Sequence, residues 1–426
     1  MLQSIYKEYV KNYKVSTDTR KIEGGEVFFA LKGPNFNANS MAEQAIEKGA
    51  IAAVIDDSSY KKDDRYILVD DALKTLQDLA LHHRLQLNIP IIGLTGSNGK
   101  TTTKELIKAV LDKKFKVLAT QGNLNNHIGV PLTLLSITPE HEIAIIEMGA
   151  NHVGEIKRLC EIAFPSHGMI TNIGKAHLEG FGGIEGVIRG KSELYDHLIK
   201  SDGTVWINST NHILSNMAKR FKAPYFYPAE EDYYNCTLIQ ASPYLKLQTG
   251  AGETIQTQLV GTYNFENIAA ALCIGKYFEV DEEQANKAVE EYNPQNNRSQ
   301  IISRDSNTII LDAYNANPSS MKEAVENLKS MEAKKKVAVL GDMNELGEDS
   351  IKEHLQLGQH LKEAKFDDVY LCGKHIKSAN ESFPESFYYE DKKELLEVIK
   401  NKEFADTLFL IKASRSIGLE EVVEYI

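Results

Sequence analysis

The sequence has little tryptophan, with one residue, and little cysteine, with four at positions 160, 236, 273 and 372. Cysteines so widely scattered form no CxxC pair and no framework of the kind that staples small secreted domains, so a reducing, cytoplasmic setting is expected. No apolar run approaches the roughly 20 residues of a membrane-spanning helix. Met1 to Lys14 mixes apolar residues with Lys and Glu and builds no signal-peptide core. Positive charge is in deficit, with 48 Lys and Arg against 60 Asp and Glu and a net charge of −12. Such a chain has no general field for nucleic acid or an acidic membrane, so an anionic ligand has to be met by local devices. Short-period repeats and low-complexity linkers are also missing, which leaves only short hinges between units. What is present is ordinary for a globular protein, 42% apolar and 25% charged, and 426 residues suggest about three domains.

The most informative stretch runs from Ile91 to Thr103. Its apolar start, after Pro90, reads as a buried strand, and Leu106, Ile107, Val110 and Leu111 line one face of a following helix. Between them stand Gly96, Ser97, Asn98, Gly99, Lys100, Thr101 and Thr102. Glycines there let successive N–H groups curl inward around an anion, and the helix N-terminus adds partial positive charge. Lys100 would reach the outer phosphates of a nucleotide, and the Thr101 hydroxyl would ligate Mg²⁺. The glycines fall at 93, 96 and 99, so Leu94 stands where the strict phosphate-loop pattern has glycine.

The rest of the chain reads as α/β throughout. Residues 1–88 alternate short strands and helices, ending in an amphipathic helix over 71–87. Residues 89–298 follow with a parallel-sheet rhythm of strands at 91–95, 116–120, 143–148, 169–173 and 204–208. Residues 299–426 form a third βα series, with strands at 308–312, 336–340, 368–371 and 407–411. Parallel sheets bind ligands beyond the carboxyl ends of their strands. Glu147, His177 and Asp312 all follow predicted strands. Glu147 is either a paired structural acid or, beside the phosphate loop, a Mg²⁺ ligand. His177 has little claim as a Mg²⁺ ligand on chemistry alone, because that ion prefers oxygen. Lys191 reads locally as a solvated helical lysine. Arg298 could be a hinge or a phosphate clamp, and Lys412, Ser414 and Arg415 could hold a carboxylate.

Several motifs together resemble the Mur ligases over nearly the whole length. The loop Thr95 to Thr103 is similar to that family's ATP loop, which uses the same three-residue glycine spacing. Thr17-Asp18-Thr19-Arg20, with Gly25 to Gly33, resembles a uridine-nucleotide domain, and Gly122 to Pro131 a substrate-facing loop. Tyr314-Asn315-Ala316-Asn317-Pro318 and Leu340 to Gly347 resemble the branch that adds a dipeptide.

The resemblance implies three domains: a small uridine-nucleotide unit, a central phosphate-loop ATPase unit and a Rossmann-like C-terminal unit. It implies an ATP-dependent amide ligase joining D-alanyl-D-alanine to UDP-N-acetylmuramoyl-tripeptide, working as a monomer in the cytoplasm. Thr101, Glu147 and His177 would then ligate Mg²⁺, and Lys191 would carry a carbamate. Asn264, Asn267, Arg298 and Asp312 would approach the nucleotide. Thr17, Asp18, Thr19, Arg20, Asn125, Asn126, His127, Asn315, Asn317, Lys412, Ser414 and Arg415 would face the other substrates. The sequence departs from the pattern at Leu311, Asn297 and Ala413, where an acid, a glycine and a glycine are usual. Competing readings are a single-amino-acid Mur ligase, a folylpolyglutamate synthase, and an ATPase switch that makes no amide bond.

Overall fold

The computed structural model describes residues 1–294 and 297–426. Its first sheet has four parallel strands, β1 (Val15–Ser16), β2 (Val27–Phe29), β3 (Ala52–Ile55) and β4 (Tyr66–Leu68), in the order 1-2-3-4. Helix α1 (Ala72–Arg84) follows, capped by the Asp71 carboxylate on the Lys74 amide at 2.8 Å. The cap satisfies one of the donors a helix start leaves open. Leu76, Leu79 and Ala80 form its buried face, and its polar residues reach the next unit. Gln77 donates to the His127 carbonyl at 2.9 Å, and Arg84 to the carbonyls of Ala163 and Phe164 at 3.2 Å.

The second sheet is parallel and six-stranded: β5 (Ile91–Thr95), β6 (Val117–Ala119), β7 (Ile143–Glu147), β8 (His167–Ile170), β9 (Thr204–Asn208) and β10 (Tyr225–Tyr227), in the order 10-9-8-5-7-6. Strands β5 and β7 are buried at every position, as expected of a sheet covered on both faces. The helices α2 (Lys100–Leu111), α3 (Glu155–Ala163), α4 (Ile184–Lys200) and α5 (Tyr263–Tyr277) cover it. The order reverses between β8, β5 and β7, so the loop after β5 opens at the switch point where such sheets take ligands. Leu94 is fully buried in β5, which is why a side chain serves there.

A small antiparallel sheet, Cys236–Gln240, Lys246–Thr249 and Thr254–Gln256, extends this unit. Its short, polar strands present only Leu247, Ile255 and a few neighbours to the core, which is why no apolar run announced it.

The third sheet runs β11 (Gln300–Arg304), β12 (Asn307–Asp312), β13 (Lys335–Gly341), β14 (Asp368–Cys372), β15 (Phe387–Tyr389) and β16 (Thr407–Lys412), in the order 11-12-16-13-14-15. All neighbours are parallel except β11, a half-exposed antiparallel edge strand with no clear alternation to betray it. Asn297, where the family usually has glycine, takes φ +57°. Asparagine is among the few other residues that enter this left-handed region readily.

Candidate active site

The loop between β5 and α2 is shaped by two glycines that nothing larger could replace. A Cβ on Gly96 (φ +150°) would stand 1.9 Å from Thr171 Oγ1, and one on Gly99 (φ +76°) 2.7 Å from Asn267 Oδ1. The loop is pinned from outside: the amides of Ser97 and Asn98 donate to Asn172, at 3.0 Å to its carbonyl and 2.9 Å to its side-chain oxygen. Its inner side is open. Among the described residues none supplies an acceptor for the amides of Gly99, Lys100, Thr101 and Thr102. A row of orphan donors at a helix start is an anion site by construction. Lys100 arches back over it, with Nζ donating to the Gly96 carbonyl at 2.9 Å. Burial lowers the pKa of this ammonium, and the nearby Glu147 charge works against that shift.

Glu147, at the end of β7, is 2% exposed. Its carboxylate accepts from Thr101 Oγ1 at 3.0 Å and Asn125 Nδ2 at 2.8 Å, and Lys104 Nζ lies 3.8 Å away. Lys191, on α4 and outside the cavity lining, is 1% exposed; its Nζ donates to the Ala150 carbonyl at 3.2 Å and lies 5.2 Å over the Phe181 ring. Burial, helped by the charge of Lys100, pushes this amine far below the usual lysine range. It is a buried lysine, not a solvated helical one.

The third unit closes the cavity from the opposite side. Arg298 lies over the Tyr314 ring at 3.8 Å, within cation–π range. Lys412 pairs with Asp312 at 2.5 Å and donates to the Asn315 carbonyl at 3.2 Å. Tyr263 Oη and Ser299 Oγ share a hydrogen bond at 2.7 Å. Together these groups line a cavity of about 680 Å³ that also includes Asn126, His127, Asn264, Asn267 and Asn317.

Two family models match the chain: the Mur ligase middle domain over residues 94–275, and the Mur ligase, glutamate ligase domain over residues 297–415. The UDP-N-acetylmuramoyl-tripeptide–D-alanyl-D-alanine ligase of Bacillus subtilis is 38% identical over 421 residues, covering 96% of this chain and 92% of the relative. The chain belongs to the Mur ligase family. Among solved structures, a MurF from Acinetobacter baumannii superposes with a TM-score of 0.86 at 32% identity, covering 96% of this chain and 92% of that one. A Thermotoga maritima MurF ligase in complex with ADP gives 0.86 at 27% identity, covering 98% and 97%.

Not every residue expected to face a substrate lines this cavity. Asp18 caps a turn of 3-10 helix and pairs with Arg20 at 2.8 Å, and Thr19 bonds Gln44 at 2.9 Å. None of the four residues 17–20 lines the cavity. Ser414 is buried and accepts from the Asn344 amide at 2.9 Å, which pins two loops together behind the cavity wall. Arg415 is exposed and paired with Glu420 at 3.2 Å. Lys412 lines the cavity with its ammonium paired to Asp312.

The oxygens of Thr101 and Glu147 suit a hard cation such as Mg²⁺. His177 lines the same cavity, yet its Nδ1 meets the Glu345 carboxylate, and among the described residues no cluster of three or more His, Cys, Asp or Glu surrounds a common point. Sequence reasoning also missed lining residues Asn151, Glu155, Arg158, Tyr263 and Glu323. The first three follow β7, and their position beyond a strand's carboxyl end was the signal available.

Proposed function

We propose that this Mur ligase joins D-alanyl-D-alanine to UDP-N-acetylmuramoyl-tripeptide, converting ATP to ADP and phosphate, in cytoplasmic synthesis of a peptidoglycan precursor. The observation that carries the reading is the row of four unpaired amides under Lys100, facing one cavity shared by the central and C-terminal units. The near full-length kinship with ligases of that name supports the choice of substrates. The units are taken as 1–88, 89–298 and 299–426, in a monomer.

In the proposed reaction the tripeptide's terminal carboxylate attacks the γ-phosphorus of ATP and ADP leaves. The dipeptide amine then attacks the acyl carbon, loses a proton, and phosphate departs. The first step brings two anions together, so its barrier is electrostatic. The amides of residues 99–102 and the Lys100 ammonium are aimed where charge accumulates. Thr101 and Glu147 would hold Mg²⁺, which supplies further neutralisation of the phosphates. A carbamate on Lys191 would turn a buried amine into an anion behind that site. Asn264, Asn267, Arg298 and Tyr314 flank the space left for the nucleoside, and Asn125, Asn126 and His127 that for the muramoyl peptide. The acyl phosphate hydrolyses readily, so the C-terminal unit's role is to exclude water until the amine arrives.

The test is phosphate release from ATP and Mg²⁺ with the two substrates supplied singly and together. Release only with both, accompanied by a new amide, supports the ligase. Release indifferent to both favours an ATPase switch.

A further inference from the structure

The Asn317 side chain is committed at both ends. Its Oδ1 accepts from the Ser320 amide at 2.9 Å, and the Ser320 hydroxyl accepts from the Asn317 amide at 3.1 Å. This capping box starts the C-terminal unit's helix α6 (Pro318–Ser330). Its Nδ2 donates across the domain boundary to Asn98 Oδ1 at 2.7 Å. Asn98 is itself held in the phosphate loop, where its carbonyl accepts from Thr171 Oγ1 at 2.6 Å and its amide donates to Asn172. The next contact is as close: Ser319 Oγ accepts from the Lys175 amide at 3.0 Å, and a Cβ on Gly174 would approach that oxygen to 2.9 Å. Asn317 is 8% exposed, so both halves of its amide work in a partly dry interface.

We propose that Asn317 is a positioning residue, a latch that ties the cap of α6 to the phosphate loop so that the C-terminal unit docks in register with the nucleotide. One amide reads both parts. Its oxygen fixes where α6 begins, and hence where Ser320 and Glu323 face the cavity, while its nitrogen fixes where that helix lands on the loop. Only the catalytic consequence rests on the ligase reading; the docking itself does not.

A pair of aspartates isolates the latch. In Asn98→Asp the carboxylate still accepts from Asn317. In Asn317→Asp the carboxylate still caps Ser320, and a rotated Asn98 amide donates to it, because its Nδ2 has no other acceptor among the described residues. Each single variant therefore keeps a bond across the boundary. The double variant sets two carboxylates against each other. The four native cysteines are buried, so spin labels placed at Lys222→Cys and Lys362→Cys report the separation of the two units in the full chain.

The expected result, without nucleotide, is a short distance in the parent and both single variants and a longer, broader one in the double. Asn98→Asp with Asn317→Lys, which restores attraction, returns the short distance. In the ligation assay the double loses at least tenfold more kcat than the product of the two singles, with a smaller change in KM for ATP. A double variant that stays docked, or a lysine pairing that opens as widely as the double, overturns the latch. Absence of ligation in the parent itself, with the distances as expected, would count against the ligase reading and not against the latch.

Discussion

The carboxyl ends of two six-stranded sheets face the same cavity, and they are finished in opposite ways. Beyond β5 the central sheet leaves four amides without acceptors among the described residues and a half-buried lysine curled over them. Beyond β12 and β16 the C-terminal sheet pairs several of its polar groups among themselves: Asp312 and Lys412 form an ion pair, Asn315 Oδ1 accepts from the Ala316 amide, and Asn317 is bonded at both ends. The same topological position, at which α/β sheets bind ligands, thus serves in one sheet to receive an anion and in the other to dock as a finished surface. Unsatisfied donors carry a cost that solvent or a ligand has to offset. Satisfied ones carry rigidity.

The largest effect expected from breaking this contrast is on the open side. Lys100→Ala removes a cation from the point of charge accumulation, and losing one such donor typically costs about 10²–10³ in kcat. Ligation kinetics should show a loss of at least that size, with the melting temperature unchanged or raised.

Lys191→Met comes next, because stability and activity should move in opposite directions. Burial lowers the Lys191 pKa, so the unfolded chain binds the proton more tightly than the folded one. Stability therefore rises with pH from the lowered folded value up to the usual lysine value near about 10.4. The methionine variant should lose that contribution to the slope and melt higher at neutral pH, while kcat falls about 10–100-fold as for a group supporting a metal site. Unchanged kcat would make Lys191 structural.

On the finished side the expected loss is in stability. Lys412→Met strands the Asp312 carboxylate, and breaking a buried pair costs about 3–5 kcal/mol, which urea unfolding of the full chain measures. Adding Asp312→Asn should return part of it. If Lys412 held a substrate carboxylate instead, KM for the tripeptide would rise with little change in the unfolding midpoint.

The smallest expected effect is at Arg20. Its pair with Asp18, whose carboxyl is held down to about 2 chiefly by that guanidinium, is exposed, and Arg20→Ala should leave the melting curve unmoved. A several-fold rise in KM for the uridine substrate alone would assign the residue to binding.

What was legible in the sequence follows from how local each feature is. The phosphate loop, the acid ending β7 and the three βα series depend on neighbours within a few residues, and the structure has them where expected, with strand ends shifted by up to three positions. Lys191 could not be read, because its burial arises from Phe181 folding over Gly190, where a Cβ would stand 2.4 Å from the ring. The pairing of Lys412 with Asp312 joins strands 100 residues apart, and His177 meets Glu345 across a domain boundary. Such partners are set by packing and leave no periodicity.

The central claim is that the tripeptide carboxylate is phosphorylated before the amine attacks. Labelling that carboxylate with ¹⁸O and analysing the released phosphate by mass spectrometry tests it directly. Phosphate leaving the acyl carbon retains the carboxylate oxygen, so one ¹⁸O in each phosphate is expected. Unlabelled phosphate formed alongside the amide product would contradict it.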